Sequence, residues 1–451
     1  MEKLTGLLSR FVQELRYEQL PAETVDHVRL FLMDYLAAAT AGKRVNTVFN
    51  AAVEQYIFGQ GGAEETTVLF GGRRLPCGKA AFMNACYAHG ADMDDGNRKA
   101  MGHVGATVFS TVLALGETLG LTEQEMVTAA VAGYDVYCRV AAAAQPGLVH
   151  RGFHSTGTAG VIAAAAAAAR LMELDEKGIF NAMAISVTMA SGLMIVAESG
   201  QSIKPLNPAK AAECGVMAAA LARDGVQGGE KPLESAKGWL HAMTDSVDEA
   251  MVTDGLGERF CIDECYIKPY PSCRHTHCGM QAALELRQEN GLSAENIQKV
   301  WLHIYPNAIQ IAGQIRRPKT MDDSKFSIHY ATACILALGR FGLEELNWTK
   351  TPDSVFALTE RIELVPDESM ENREAGIRGC RVVIETTDGR RLERTVLIPK
   401  GDPQNPYTWE DMRAKWSACA DGFLSGTVQQ AVYDRVRGFG KNEKFKEVCL
   451  K

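Results

Sequence analysis

Seven consecutive alanines, Ala163 to Ala169, favour a helix and hold no side chain that would keep a neighbouring helix at a distance. The apolar run that contains them, residues 157–169, ends at Arg170 and is too short to span a bilayer. Similar Ala- and Gly-rich segments with helical spacing of apolar residues extend from the N-terminus to about residue 255. We therefore expect the first half of the chain to form densely packed, mostly buried helices.

A different pattern begins after about residue 260. The segment "VWLHIYP" alternates like a strand, and "RVVIETTDGRRLERTVLI" predicts two strands joined at Asp388-Gly389. A chain of 451 residues is also longer than one hydrophobic core usually allows. The prediction is a mainly α protein with a large helical domain (1–258), a smaller α+β domain (259–400) and C-terminal helices that return to the first domain (401–451).

The charge and the cysteine content restrict the partners and the location. The net charge of −8 argues against non-specific nucleic-acid binding, although a few cations in one pocket can still bind a small anion. Twelve cysteines without a signal peptide or a membrane segment predict reduced thiols in the cytoplasm. Zinc binding is the alternative for one group of cysteines and histidines. The C-x3-C and C-x4-C spacings of its cysteines differ from those of paired zinc knuckles, so buried thiols are favoured. That group is Cys261, Cys265, Cys273, Cys278, His275 and His277.

The sequence lacks the motifs of nucleotide cofactors and common hydrolases. It has no GxGxxG after a strand, no GxxxxGK[ST], no GxSxG and no HExxH. Polar residues concentrate instead in five short stretches, and four of these lie where a loop enters a helix, a position that suits carboxylate ligands. Each residue taken alone has an ordinary explanation as a cap, a junction residue or a solvated charge. The five groups are Asp92, Asp94, Asp95, Arg98, Lys99 and His103; His150 and His154; Lys204 and Lys210; Lys268, Cys273, Arg274, His275 and His277; and Lys325, His329 and Tyr330.

The stretch "GADMDDGNRKAMGH", residues 90–103, holds three aspartates that could bind Mg²⁺. The two cations of the same stretch would compete for these carboxylates, and no phosphate-binding loop accompanies them. We therefore predict no metal. Asp94 and Asp95 are expected to cap or brace the turn.

Long segments of the chain, in order, are similar to one protein family. They are "LPAETVDHVRLFLMDYLAAATAG", "AHGADMDDG", "GFHSTGTAGVIAAAAAAARLMELD", "SIKPLNPAKAAECG", "KPYPSCRHTHCGMQAALEL", "SKFSIHYATA" and "GDPQNPYTWEDMRAKW". On these segments the chain resembles the MmgE/PrpD family, which includes 2-methylcitrate dehydratases, cis-aconitate decarboxylases and iminodisuccinate epimerases. The resemblance implies a large helical domain built from both chain ends, a smaller α+β domain, and a homodimer. It also implies catalysis on a small polycarboxylate without a metal or an organic cofactor.

The resemblance implies an active site as well. The reactions of the family share the formation or quenching of a carbanion beside a carboxylate, which needs a base and nearby cations. We expect the two histidines of the site to transfer protons, with Asp92 orienting one of them and Tyr330 donating a proton. The catalytic set is Asp92, His103, His154, Lys204 and Tyr330. The substrate-binding set is Lys268, Cys273, Arg274 and His277.

The same residues suit several reactions. The leading hypothesis is a hydro-lyase similar to 2-methylcitrate dehydratase, and the second is a racemase or epimerase of an iminodisuccinate-like dicarboxylate. A cis-aconitate-type decarboxylase comes next, since those relatives have a histidine near the position of Cys273. A non-catalytic carboxylate-binding homologue is a further alternative, because relatives carry His or Thr where this chain has Gly96 and Asn97.

Overall fold

Helices make up most of the regular structure. The computed structural model describes residues 4–198, 202–372, 375–448 and 450. The helices are α1 (Leu4–Glu14), α2 (Ala22–Val45), α3 (Thr47–Gln60), α4 (Cys77–His89), α5 (Gly105–Leu119), α6 (Glu123–Ala143), α7 (Gly147–His150), α8 (Ser155–Thr158), α9 (Gly160–Leu171), α10 (Glu176–Ser186), α11 (Ile195–Glu198), α12 (Leu206–Arg223), α13 (Trp239–Met243), α14 (Ala250–Thr253), α15 (His277–Asn290), α16 (Pro306–Ala312), α17 (Met321–Lys325), α18 (Ile328–Leu338), α19 (Asp353–Thr359), α20 (Trp409–Ala420) and α21 (Gly426–Arg437). The strands are β1 (Thr66–Thr67), β2 (Arg74–Leu75), β3 (Gly96–Asn97), β4 (Cys265–Tyr266), β5 (Ile297–Ile304), β6 (Ile362–Pro366), β7 (Glu371–Asn372), β8 (Ile377–Arg378), β9 (Cys380–Thr386) and β10 (Arg391–Val396).

The chain divides into two compact units. Unit 1 contains Met1–Gly90, Asp94–Ile267 and Thr408–Lys451, and unit 2 contains Ala91–Met93 and Lys268–Tyr407. Unit 1 extends to Ile267 because β4 pairs with β3, which keeps this part of the chain in the helical unit. It resumes at Thr408, whose side chain caps the first turn of α20.

Helix α9 lies at the centre of unit 1, where all seven alanines from Ala163 to Ala169 are fully buried. It packs against α12 and α6. The contact with α12 is so close that a Cβ atom on Gly215 would lie 2.3 Å from the Cβ of Ala164. Small residues on both helices therefore set their separation, as the alanine run predicts.

Unit 2 is built around a four-stranded sheet in the order β10-β9-β5-β6. Strands β9 and β10 form the antiparallel hairpin that the Asp388-Gly389 turn predicts, with Arg391 opposite Glu385. Strand β5 pairs antiparallel with β9 and parallel with β6, where Val300 lies opposite Ile362. The predicted fold class, mainly α with a smaller domain that contains a sheet, is confirmed. Within the described ranges, no helix is both long enough and apolar enough to cross a membrane.

Candidate active site

Three histidines lie together in unit 1, and we call them, with their two partners, the histidine cluster. Its members are His89, Asp94, His103, His154 and Asn207. The ring centroids are 5.0 Å apart for His89 and His103, 5.7 Å for His89 and His154, and 6.5 Å for His103 and His154. All three histidines are buried. The His103 side chain is the most exposed of the three, at 11%. Separate helix ends thus bring three imidazoles into one place.

Asp94 and the backbone of Asp95 hold two of these rings. The Nδ1 of His89, the last residue of α4, lies 2.7 Å from the Asp94 Oδ2. The same oxygen lies 3.8 Å from the Nδ1 of His103. That nitrogen donates a hydrogen bond of 2.6 Å to the carbonyl of Asp95. Because a carbonyl only accepts, the hydrogen of neutral His103 is on Nδ1, and its Nε2 has a lone pair that can take a proton.

His154 is held from helix α12. Its backbone N–H donates to the carbonyl of Gly192, and its ring Nδ1 lies 2.9 Å from the amide nitrogen of Asn207. An amide nitrogen donates, so the Nδ1 of His154 accepts and the hydrogen of the neutral ring is on Nε2. Lys204 is half-buried in the turn that precedes α12, and its carbonyl accepts from the backbone N–H of Asn207. His103 and His154 therefore have opposite tautomers.

Asp95 braces the loop before α5. Its carboxylate accepts hydrogen bonds of 2.8 Å from the backbone N–H of Gly105 and the hydroxyl of Tyr134. Burial, with the nearby carboxylates of Asp34 and Asp94, raises the pKa of Asp95 to about 7. The Asp95 carboxyl group thus gains or loses its charge near neutral pH. The preceding residue, Asp94, has the carboxylate that contacts His89 and His103.

A second buried polar group, the lysine centre, lies in unit 2 and consists of Asp92, Lys268, Arg274, His277 and Asp402. The Lys268 ammonium donates to the Asp92 carbonyl at 2.9 Å and to its carboxylate at 3.1 Å. Asp92 has a left-handed backbone with φ of 52°, a conformation that Asp tolerates better than most residues. Both of its oxygen-bearing groups can therefore reach one ammonium.

Arg274 and His277 form the other half of the lysine centre. The Arg274 guanidinium pairs with Asp402 and donates to the Nδ1 of His277 at 2.9 Å. The Nε2 of His277 donates to the Ser272 carbonyl at 3.2 Å. Burial, together with the charges of Arg274 and Lys268, lowers the pKa of His277 well below its ordinary value. His277 is therefore neutral and orients the guanidinium.

Two other predicted site residues are tied into the packing of unit 2. The Cys273 thiol is buried, and its backbone N–H donates to the carbonyl of Lys325. Tyr330 is fully buried, and its hydroxyl donates to the carbonyl of Glu345 and contacts the hydroxyl of Thr351. These contacts give the Tyr330 hydroxyl a structural role, and its predicted role as a proton donor stays a prediction.

Gly96 and Asn97, where relatives carry His or Thr, lie in a tightly packed turn. A Cβ atom on residue 96 would lie 2.4 Å from the hydroxyl of Tyr266, so only glycine fits beneath that ring. The Asn97 side chain accepts from the backbone N–H of Ala100 and closes the turn. Lys99 pairs with Glu264 at 2.7 Å. This part of the loop is therefore shaped by packing within unit 1.

The structure changes how the predicted residues are grouped. His103 and His154 come together, whereas Asp92, expected to orient a histidine, contacts Lys268 in unit 2. Asp94, expected to brace the turn, contacts the histidines. Sequence reasoning missed His89 and Asn207, although the first stands five residues before Asp94 in the quoted segment "AHGADMDDG". Among the described residues, ligand atoms of His89, Asp94 and His103 lie within 4.8 Å of one another, a set that could hold a metal ion.

Comparison with known proteins identifies the family. The profile of the MmgE/PrpD N-terminal domain matches residues 6–250, and that of the MmgE/PrpD C-terminal domain matches residues 270–437. The chain belongs to the MmgE/PrpD family. The resemblance that the sequence motifs indicate is thereby confirmed.

Similar proteins in this family are named as lyases. The chain is 26% identical to the cis-aconitate decarboxylase-like protein oryM of Aspergillus oryzae, over 96% of this chain and 94% of that protein. It is 24% identical to a cis-aconitate decarboxylase of Aspergillus terreus, over 88% of this chain and 85% of that enzyme. It is 23% identical to the human cis-aconitate decarboxylase, over 96% of this chain and 91% of that enzyme. The family thus includes enzymes that act on a polycarboxylate.

Proposed function

We propose that this protein is a lyase that transfers a proton at the carbon next to a carboxylate of a small polycarboxylate, and that it acts as a hydro-lyase of the 2-methylcitrate dehydratase type. The observation that carries the proposal is the pair of opposite tautomers on His103 and His154. Elimination of water needs one group that takes a proton and another that gives one. Two imidazoles with opposite tautomers in their neutral forms supply both.

His103 is the proposed base. Its Nε2 takes the proton from the carbon beside the substrate carboxylate, and the electron pair left on carbon moves towards the leaving hydroxyl. The ring becomes an imidazolium, whose charge the Asp94 carboxylate at 3.8 Å stabilises. The hydrogen bond from Nδ1 to the Asp95 carbonyl keeps the ring in the orientation that proton transfer needs.

His154 is the proposed acid. Its Nε2–H protonates the hydroxyl as the carbon–oxygen bond breaks, so that water leaves and a carbon–carbon double bond remains. Asn207 keeps the hydrogen on the correct nitrogen of His154 by donating to the other one. Lys204, half-buried one helical turn before Asn207, is proposed to bind a substrate carboxylate. Lys268 and Arg274 stay predicted as carboxylate-binding residues.

Decarboxylation of a cis-aconitate-like tricarboxylate is the second candidate, and the names of the relatives favour it. That reaction releases carbon dioxide from a carboxylate and then protonates the remaining carbanion, so it uses a single proton donor. His154 suits that donor, and the lone pair on His103 Nε2 has no part in the reaction. The presence of both tautomers is what ranks dehydration first.

The test is incubation of the purified chain with 2-methylcitrate, citrate, cis-aconitate and iminodisuccinate in D₂O, followed by NMR and absorbance. A hydro-lyase forms a conjugated double bond from a hydroxy acid. Carbon dioxide release from cis-aconitate identifies a decarboxylase, and deuterium at a stereocentre without elimination identifies an epimerase. Binding of these acids without turnover of any of them contradicts the enzyme proposal and favours a carboxylate-binding homologue. The predicted homodimer and cytoplasmic location are separate predictions.

A further inference from the structure

We propose that His89, Asp94 and His103 form a binding site for one divalent transition-metal ion of the Zn²⁺ type. Their ligand atoms lie within 4.8 Å of one another, and all three side chains are buried or nearly so. Three protein ligands from one short part of the chain leave further coordination positions for water or for a substrate oxygen. The site thus differs from the cluster of three aspartates that the sequence suggests for Mg²⁺.

The ligand types select the class of metal. Two imidazole nitrogens and one carboxylate oxygen suit zinc, cobalt, nickel or iron, whereas magnesium and calcium prefer sites made of oxygen atoms. Zinc binds nitrogen and oxygen at about 2.0–2.1 Å, which places tetrahedral ligand atoms about 3.4 Å apart. The separations of the ligand atoms, which reach up to 4.8 Å, therefore need to change by up to about 1.4 Å. Asp94 lies in a loop between α4 and α5, where such a shift does not break a helix.

The surroundings hold the ligands as metal sites do. A metal-binding histidine commonly donates its other ring N–H to a carbonyl or a carboxylate. His103 makes that contact from Nδ1 to the Asp95 carbonyl, and its Nε2 is proposed as the ligand atom. At His89 the ion takes the position between Nδ1 and the Asp94 Oδ2, and the ring hydrogen moves to Nε2. Lys99, expected from the sequence to compete for these carboxylates, pairs with Glu264.

Metal binding has a consequence for activity, and this part of the inference rests on the proposed function. An ion held by His103 occupies the lone pair that the proposed base needs. Zn²⁺ is therefore expected to inhibit proton transfer, and a chelator is expected to restore it. The site is then a point at which metal availability controls the reaction.

Calorimetric titration of the chelator-treated full chain with Zn²⁺ tests the site directly. We expect one ion per chain, and an affinity at least about tenfold lower in His89→Gln and in Asp94→Asn, because each loses a ligand. The matched control is His150→Gln, which removes an exposed histidine and is expected to keep the full affinity. Mg²⁺ is expected to give no comparable binding.

Co²⁺ provides a second measurement on the unmodified chain, which does not depend on the folding of variants at buried positions. Coordination by two imidazoles and a carboxylate gives visible d–d absorption that Zn²⁺ abolishes by competition. The proposal is overturned if His89→Gln binds Zn²⁺ like the unmodified chain, if only His150→Gln loses affinity, or if Co²⁺ gives only the spectrum of the hydrated ion. Turnover without zinc binding rejects the metal site alone, whereas zinc binding without turnover on any substrate rejects the proposed function alone.

Discussion

The histidine cluster of unit 1 and the lysine centre of unit 2 are both buried groups of charged and titratable residues, yet their side chains are paired differently. In the histidine cluster, a carboxylate lies beside imidazoles whose tautomers are set by single hydrogen bonds. In the lysine centre, each cation has its own carboxylate, Lys268 with Asp92 and Arg274 with Asp402. The first is the proposed place of proton transfer, whereas the second holds paired charges.

The difference shows that burial by itself does not assign a role to a charged residue. His103 has its Nδ1 held by the Asp95 carbonyl, and its Nε2 is the atom proposed to take a proton. His277 has both nitrogens in hydrogen bonds to protein groups, and burial keeps it neutral. The same residue type is thus a candidate catalyst in one unit and a positioning residue in the other.

Removal of the proposed base is expected to have the largest effect. His103→Gln should lower kcat on the active substrate about 1,000-fold, or about 4 kcal/mol in the barrier, with a smaller change in KM. Steady-state kinetics beside the His150→Gln control measures it. A kcat within a few-fold of the unmodified protein would remove His103 from the mechanism.

Separation of the buried ion pair of the lysine centre comes next. Lys268→Met leaves the Asp92 carboxylate buried without its cation, which should lower the free energy of unfolding by about 3 kcal/mol. Urea denaturation measures the loss. The double variant Lys268→Met with Asp92→Asn is expected to recover part of it, because no unpaired charge remains. Equal stability of the single and double variants would mean that the pair is not coupled.

The pH dependence of Asp95 tests the histidine cluster. The folded-state pKa of about 7 lies above the ordinary value of 3.8, so the folded state binds a proton that the unfolded state releases. Stability from this group is therefore full at low pH and falls as the pH rises through 7, by about 2 kcal/mol between pH 5 and pH 7. Urea unfolding with chelator present should show this fall in the unmodified chain and a flatter profile in Asp95→Asn. If the free energy of unfolding falls equally with pH in both proteins, the raised pKa of Asp95 is contradicted.

The smallest effect is expected at His277, with the opposite sign. Its folded-state pKa is lowered well below 6.5, so the unfolded state takes up a proton first as the pH falls. Stability is full above pH 6.5 and is lost below it by at most about 1.4 kcal/mol for each pH unit. Thermal melts of His277→Gln between pH 5 and pH 7.5 should show less loss on acidification than the unmodified chain. A steeper loss in the variant would show that His277 is charged in the folded protein.

The parts of the fold that follow local rules could be predicted from the sequence. The Asp388-Gly389 turn predicts the β9–β10 hairpin, and the Thr122 to Glu125 capping box that begins α6 is visible as "LTEQE". The unit boundary at Ile267 could not be predicted, because it depends on the pairing of β4 with β3, about 170 residues earlier in the chain. The assignment of Ala91–Met93 to unit 2 has no local signal.

Part of the candidate site could likewise be predicted from the sequence, and part depended on the tertiary structure. The sequence by itself determined that the chain is rich in small helical residues, that it belongs with the MmgE/PrpD proteins, and that His103 and His154 are the candidates for proton transfer. Only the tertiary structure decided that Asp94 contacts the histidines, that Asp92 pairs with Lys268, and which nitrogen of each ring carries the hydrogen. The physical reason is that a tautomer depends on the hydrogen-bond partner, and the partner of His154 is Asn207, 53 residues later in the chain.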